Sequence, residues 1–127
     1  MVEGKTVKKS SILRARQFLR QAIDNDDTTT IKRILDVGFP LDQSLMDYPF
    51  ITALMYASSE GKENALNTII SYNPDAKTAD SSGRNVLHMT VRSGQMGTLG
   101  IILADPKFEC LHESRTIGGI TPLMAAL

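Results

Sequence analysis

Thr52-Ala53-Leu54-Met55-Tyr56-Ala57 is the first of three short segments that share one pattern along the chain. The other two segments are Asn85-Val86-Leu87-His88-Met89-Thr90 and Thr121-Pro122-Leu123-Met124-Ala125-Ala126. Leu54 and Leu87 are 33 residues apart, and Leu87 and Leu123 are 36 residues apart. Self-similarity at this period is typical of small helical units that bury their apolar faces against one another. The pattern therefore predicts an all-α solenoid of stacked helix-turn-helix units rather than one globular core.

Turn residues between the apolar runs divide the chain into units. Clusters such as Asn73-Pro74-Asp75 and Asp80-Ser81-Ser82-Gly83 predict turns, with Gly83 at positive φ. We expect a disordered N-terminal tail over residues 1–10 and a repeat domain over residues 11–127. The predicted units of that domain are a divergent first at about 11–43, a second at 47–79, a third at 80–115 and an incomplete fourth at 116–127.

Capping residues predict where the helices of each unit begin and end. Serine, threonine and asparagine favour helix starts, and glycine favours helix ends. The predicted inner helices start at Ile12 after Ser10 or Ser11, after Thr52 and after Asn85, and the last two end at Gly61 and Gly94. The predicted outer helices follow Thr28–Thr30 and stop at Gly38, span about 62–72, and span about 96–103.

Two glycines interrupt the third outer helix. Gly97 and Gly100 each lower helix stability by about 1 kcal/mol relative to alanine. Either this helix is the weakest of the set, or it lies close against a neighbour that requires glycine. The connection that follows, over 107–115, is three residues longer than its counterpart in the preceding unit.

The three segments resemble the core motif of the ankyrin repeat, which is Thr-Pro-Leu-His-x-Ala followed four residues later by glycine. The segment from Thr121 matches threonine, proline, leucine and alanine, and the segment from Thr52 matches threonine, leucine and alanine with Gly61 in place. The segment from Asn85 matches leucine and histidine with Gly94 in place. The resemblance implies an ankyrin-repeat solenoid with short finger turns. Two copies lack the proline and two lack the histidine, so it also implies a stability below that of a consensus array.

The resemblance further implies where a partner binds. Proteins of this family bind through finger tips and through exposed positions of the inner helices, and His88 matches the histidine that braces neighbouring repeats. The implied finger residues are Tyr48, Pro49, Ile51, Ser81, Ser82, Arg84, Ile117 and Ile120. The implied inner-helix residues are Ser59, Glu60, Arg92 and Ser93, with Asp24 and Asn25 from the first unit. Tyrosine and arginine dominate binding hot spots, which makes Tyr48, Arg84 and Arg92 the foremost candidates. Phe50 either adds to an apolar finger or packs inward against the next finger.

No set of residues predicts catalysis, a cofactor or a metal. Cys110 and His112 form the only cysteine–histidine pair, and a zinc site needs about four ligands. The acidic cluster Asp24, Asp26 and Asp27 lacks calcium-loop spacing and is interpreted as a helix break with capping carboxylates. Three methionines recur on the inner helices and are assigned to the core in preference to a soft-metal site or an adaptable peptide groove: Met55, Met89 and Met124. We therefore expect a protein that is not an enzyme.

Charge and composition exclude several classes of partner. The chain has 14 basic and 14 acidic residues, whereas nucleic-acid binders carry a basic excess. The basic residues of the first twenty positions are either a solvated face or a weak contact with an anionic surface: Lys5, Lys8, Lys9, Arg14, Arg16 and Arg20. No segment approaches the roughly 20 apolar residues of a membrane span. One cysteine and no signal sequence predict an intracellular protein, cytoplasmic or nuclear.

These patterns together predict a non-catalytic protein–protein interaction module or scaffold. The alternative is a structural subunit that is built into a large assembly through its C-terminal end. That end carries apolar Ala125, Ala126 and Leu127 where a natural array would close with a polar repeat. We expect either further ankyrin repeats after Leu127, another subunit that covers this end, or a naturally short product.

Overall fold

The structure, a computed structural model, describes residues 9–116 and 118–122. Six α-helices are followed by one 3₁₀ helix: α1 Lys9–Asp24, α2 Thr28–Asp36, α3 Ala53–Ser59, α4 Glu63–Ser71, α5 Val86–Ser93, α6 Met96–Ala104 and the 3₁₀ helix Pro106–Leu111. Within these residues no strand forms, and a single antiparallel bridge joins Ala79 to Asn85. The predicted all-α class is confirmed for this part of the chain.

The helices pack as three hairpins in chain order. Helix α1 contacts α2, α3 contacts α4, and α5 contacts α6. Helices α1, α3 and α5, here termed the inner helices, also contact one another in sequence, and the outer helices α2, α4 and α6 do the same. The buried apolar side chains lie between these two rows. Each hairpin therefore completes its core with side chains from its neighbours.

Local capping places the second and third inner helices. The Thr52 hydroxyl accepts a hydrogen bond from the Met55 amide at 3.3 Å. The Asn85 side chain accepts from the Leu87 and His88 amides in the first turn of α5. Gly61 and Gly94 follow these helices with φ of 74° and 75°, a conformation that favours glycine. The predicted starts and ends of α3 and α5 are confirmed, and α4 and α6 lie within one residue of their predicted bounds.

The first hairpin differs from its predicted bounds. Helix α1 begins at Lys9, three residues before the predicted start at Ile12 and inside the predicted tail, of which residues 1–8 lie outside the described ranges. Helix α2 is capped by Asp27 instead of a threonine hydroxyl. Its carboxylate accepts from the Thr30 amide at 3.2 Å and the Thr30 hydroxyl at 2.6 Å, and these bonds hold the pKa of Asp27 below its ordinary value. An anionic cap also interacts favourably with the helix dipole.

The long connection after α6 contains structure that the sequence did not predict. The Asp105 side chain accepts from the Lys107 amide at 3.0 Å, and Pro106 opens the 3₁₀ helix. Phe108 and Leu111 of this helix are fully or almost fully buried. The extra residues thus extend the apolar core.

The two glycines of α6 have different surroundings. A Cβ at Gly97 would meet the carboxylate of Glu63 on α4, whereas a Cβ at Gly100 would meet nothing within 4 Å. At Gly97 the close contact is therefore with the end of a flexible, exposed side chain, which can move aside. At Gly100 no neighbour requires glycine, so this residue only lowers the stability of α6.

Four carboxylates of the first hairpin region accept hydrogen bonds from the second. The donors are a tyrosine hydroxyl on α3, the hydroxyl of the tyrosine that follows α4, the N-terminal turn of α4 and a loop amide. The pairs are Asp24 with Tyr56, Asp36 with Tyr72, Asp26 with Asn64 and Ala65, and Asp42 with Asp75. Burial first, and then its bond to Asp24, raise the pKa of the Tyr56 hydroxyl. The acidic residues that the sequence assigned to capping thus also join neighbouring hairpins.

Candidate protein-binding face

The first finger, residues 44–51, is closed by one serine. The Ser44 hydroxyl accepts from the Ile51 amide at 2.9 Å and donates to the Met46 carbonyl at 2.7 Å. The Leu45 amide donates to the Ile51 carbonyl at 2.7 Å. These bonds leave Tyr48 at the tip, where it is 90 % exposed. The finger is therefore a backbone-bonded loop with an aromatic side chain in solvent.

The second finger, residues 79–85, is organised by Asp80. Its carboxylate accepts from the Ser82 and Arg84 amides, each at 2.9 Å, and from Arg84 Nε at 2.8 Å. Burial alone would raise the pKa of Asp80, but the hydrogen bonds from Arg84 and Ser82 outweigh it and hold the pKa below its ordinary value. Gly83 takes φ of 85°, which confirms the predicted turn. Arg84 is consequently fixed at Nε, while its two terminal nitrogens make no bond within the described ranges.

A third turn, of which the structure describes residues 116 and 118–120, is held against α5 by a histidine. The His88 Nδ1 atom accepts from the Asn85 amide at 3.3 Å. Since Nδ1 accepts, Nε2 carries the proton, and it donates to the Ile120 carbonyl at 2.9 Å. His88 is almost fully buried. The expected bracing contact of His88 between neighbouring units is therefore present.

Two clefts lie side by side along the inner helices. The first, of about 460 Å³, lies between the first and second fingers, and its predicted binding residues are Pro49, Ile51, Ser59, Arg84, Arg92 and Ser93. The second, of about 450 Å³, lies between the second finger and the third turn, and its predicted binding residues are Ser82, Arg84, Arg92 and Ile120. Arg84, Met89 and Arg92 line both clefts. Most of the predicted surface thus falls on one concave strip.

The remaining predicted residues lie outside the clefts. Tyr48, Glu60 and Ser81 are exposed but line neither of them. Asp24 and Asn25 are exposed at the end of the first inner helix, where Asp24 accepts from Tyr56. Ile117 lies outside the described residues, as does the apolar end at 123–127, so the structural-subunit alternative stays a prediction.

Met89 combines two properties considered from the sequence. Like buried Met55 it packs against the core, but it is only half buried and it lines both clefts. Met124 is outside the described part of the chain. Aligning the repeated segments explains the difference, because Met89 corresponds to half-buried Tyr56 and not to Met55.

Phe50 has both of the properties considered from the sequence. It is half buried and packs against the core, which agrees with inward packing. It also lines the first cleft beside Asp80 of the next finger. The aromatic ring thus forms part of the cleft floor and is not a free finger tip.

No chemical centre competes with the clefts in the described residues. Cys110 and His112 are exposed, and the cysteine sulfur lies 3.9 Å from the Lys107 carbonyl. Across residues 9–116 and 118–122, no cluster of three or more metal-ligating side chains forms. None of the helices in these ranges has the length and apolarity needed to cross a membrane. The clefts are therefore the best-defined candidate site.

No protein-family model and no curated protein matches the sequence.

Proposed function

We propose that this chain is an ankyrin-type repeat array that binds a partner protein, without catalysis, through the face formed by its fingers and inner helices. The observation that carries the proposal is the pair of adjoining clefts between successive fingers, which share Arg84, Met89 and Arg92. A ligand that occupies both clefts contacts two units at once. Such a continuous strip is typical of the concave binding surfaces of repeat proteins.

The repeat assignment draws support from equivalent positions in successive hairpins. Thr52 and Asn85 are both N-caps with extended backbone, and Gly61 and Gly94 follow the same helices in the left-handed conformation. The hairpins also keep one order, with each inner helix followed by its outer helix. The same local capping rules thus apply to the second and third hairpins.

The composition of the clefts suits protein recognition. Half-buried Ile51 and Met89 and partly exposed Ile120 supply apolar area, and each Å² removed from water contributes about 25 cal/mol. Arg92 supplies the residue type that is enriched at hot spots. The finger backbones are already fixed by hydrogen bonds, which reduces the entropy lost on binding.

The test compares two matched double variants in affinity purification from the source cell. Tyr48→Ala with Arg92→Ala alters the proposed face, while Val37→Ala with Arg33→Ala alters equally exposed positions around the end of α2. Arg84 is left intact because its loss would break the second finger. We expect the face variant to lose the partners that the wild type captures and the control variant to keep them.

Circular dichroism establishes that both variants remain folded. Partners captured by the face variant as well as by the wild type would contradict the proposed face, whether or not the control variant keeps them.

A further inference from the structure

The charge of the two clefts points to the chemistry of the partner. We propose that the partner presents an extended acidic segment, which places one apolar side chain in each cleft and pairs its carboxylates with Arg84 and Arg92. This inference rests on the proposed function and specifies its ligand.

The first step is the excess of positive charge at the clefts. The whole chain has no net charge, yet the charged side chains that line the clefts are Arg84, Arg92 and Asp80. The Asp80 carboxylate is already used by two backbone amides and by Arg84 Nε. Its side chain is only 8 % exposed, so it offers little to a ligand. The second cleft has no acidic lining residue.

The second step is that both arginines have guanidinium N–H groups without a hydrogen-bond partner in the described residues. Arg84 uses Nε internally and keeps its two terminal nitrogens, and its side chain is 46 % exposed. Arg92 is exposed and makes no hydrogen bond or ion pair in the part of the chain that the structure describes. A guanidinium group with two open nitrogens binds a carboxylate in a bidentate manner. The shared wall of the clefts therefore favours two carboxylates.

The third step concerns the apolar side chains and their spacing. Ile51 and Phe50 line the first cleft, Ile120 lines the second, and Met89 lies between them. One helix, α5, separates the two clefts, and packed helices lie about 8–10 Å apart. An extended segment in the polyproline II conformation has three residues per turn and advances about 3.1 Å per residue, so side chains about three residues apart lie on the same side at this spacing. The acidic residues then fall between and beside them.

The test selects the ligand without assuming it. A phage library of random twelve-residue peptides is selected on the full chain and counter-selected on the folded double variant Met89→Glu with Arg92→Glu. The peptides that survive require the clefts. We expect them to be acidic, with two apolar residues about three positions apart.

A synthetic copy of the strongest peptide is then measured by fluorescence anisotropy. Arg92→Gln should weaken its binding about two- to tenfold, the range for a partly exposed ion pair at an interface. Arg33→Gln is the matched control, since it removes the same charge from the last turn of α2; it should leave binding unchanged. Raising the salt concentration should weaken binding to the wild type and have less effect on Arg92→Gln.

Three results would overturn the inference. The first is a set of cleft-dependent peptides that are neutral or basic, which would leave the proposed protein-binding function standing. The second is a selection with no cleft-dependent peptide at all. The third is a single-stranded RNA oligomer that binds as tightly as the acidic peptide with the same dependence on Arg92, which would assign the clefts to a nucleic acid. Failure of the proposed function has a separate sign, namely partner capture that ignores every face variant.

Discussion

Asp26 caps a helix that belongs to the next hairpin, and this contact gives a sharp prediction. Its carboxylate accepts from the Ala65 amide at 2.7 Å and from the Asn64 side chain at 2.9 Å. Ala65 is the third residue of α4, whose own flanking residue, Lys62, makes no side-chain cap. Asp26 also has φ of 52°, in the left-handed region. A good variant must keep that conformation while it removes the cap.

Asp26→Gly meets this requirement, because glycine adopts the left-handed region readily and has no acceptor. Loss of an N-cap lowers stability by about 0.5–2 kcal/mol, and glycine adds some flexibility to the unfolded chain. We therefore expect a loss of about 1–2 kcal/mol. Asp26→Asn is the matched control, because asparagine also tolerates this conformation and keeps one oxygen for the Ala65 amide. Its loss should stay under about 0.5 kcal/mol.

The assay is urea unfolding followed by circular dichroism at 222 nm. With a slope of about 2 kcal/mol per molar, the midpoint of Asp26→Gly should fall by about 0.5–1 M, while Asp26→Asn stays near the wild type. Equal midpoints for the two variants would refute the capping argument. Asn64→Ala adds a check: it removes the same Asn64 contact that Asp26→Asn loses, because an amide nitrogen cannot accept, so its midpoint should lie close to that of Asp26→Asn.

Three further predictions concern the outer helix, the second finger and the 3₁₀ helix. Gly100→Ala should stabilise the protein by up to about 1 kcal/mol in urea unfolding, whereas Gly97→Ala should gain less because its Cβ would meet a side chain of α4. The pKa of Asp80 is lower in the folded state, so its contribution is present above the unfolded value near 3.8 and is lost as the pH falls through the folded value. The stability difference between wild type and Asp80→Asn, measured by urea titration from pH 6 to pH 2.5, should therefore shrink below about pH 4; a constant difference would contradict it. Phe108→Ala should lose about 3–5 kcal/mol because the ring is fully buried, while Phe18→Ala at a 57 % exposed position should change thermal stability little.

The helix bounds were predictable where short-range chemistry determines them. Thr52 and Asn85 bond amides two or three residues away, and Gly61 and Gly94 act on the turn in which they lie. The start of α1 at Lys9 was not predictable in this way, because the capping signal at Ser10 or Ser11 lies inside the helix. Local signals thus fixed α3 to α6 more closely than the first hairpin.

Contacts between residues far apart in the chain could not be predicted from the sequence. The 3₁₀ helix depends on burial of Phe108 and Leu111, and no propensity marks such a short element. The capping of α4 joins residues 39 positions apart. The clefts combine Met89 with residues from two fingers, whereas the recurrence of methionine on the inner helices had favoured a role in the core. The predicted binding face indicated where the clefts lie. It did not indicate that the two clefts share Arg84, Met89 and Arg92 as a common wall.

Carboxylates of the first hairpin region accept hydrogen bonds from the second, and these contacts have a consequence for protein engineering. A segment cut at the sequence boundaries of the second unit, 47–79, would leave behind the acceptors for the hydroxyls of Tyr56 and Tyr72 and for the start of α4. Transplanted into another array, that segment would need a host with acidic residues at the positions of Asp24, Asp26, Asp36 and Asp42. The exchangeable piece is therefore the segment together with its preceding aspartates, and chimeras designed on the sequence period alone would leave these donors without acceptors.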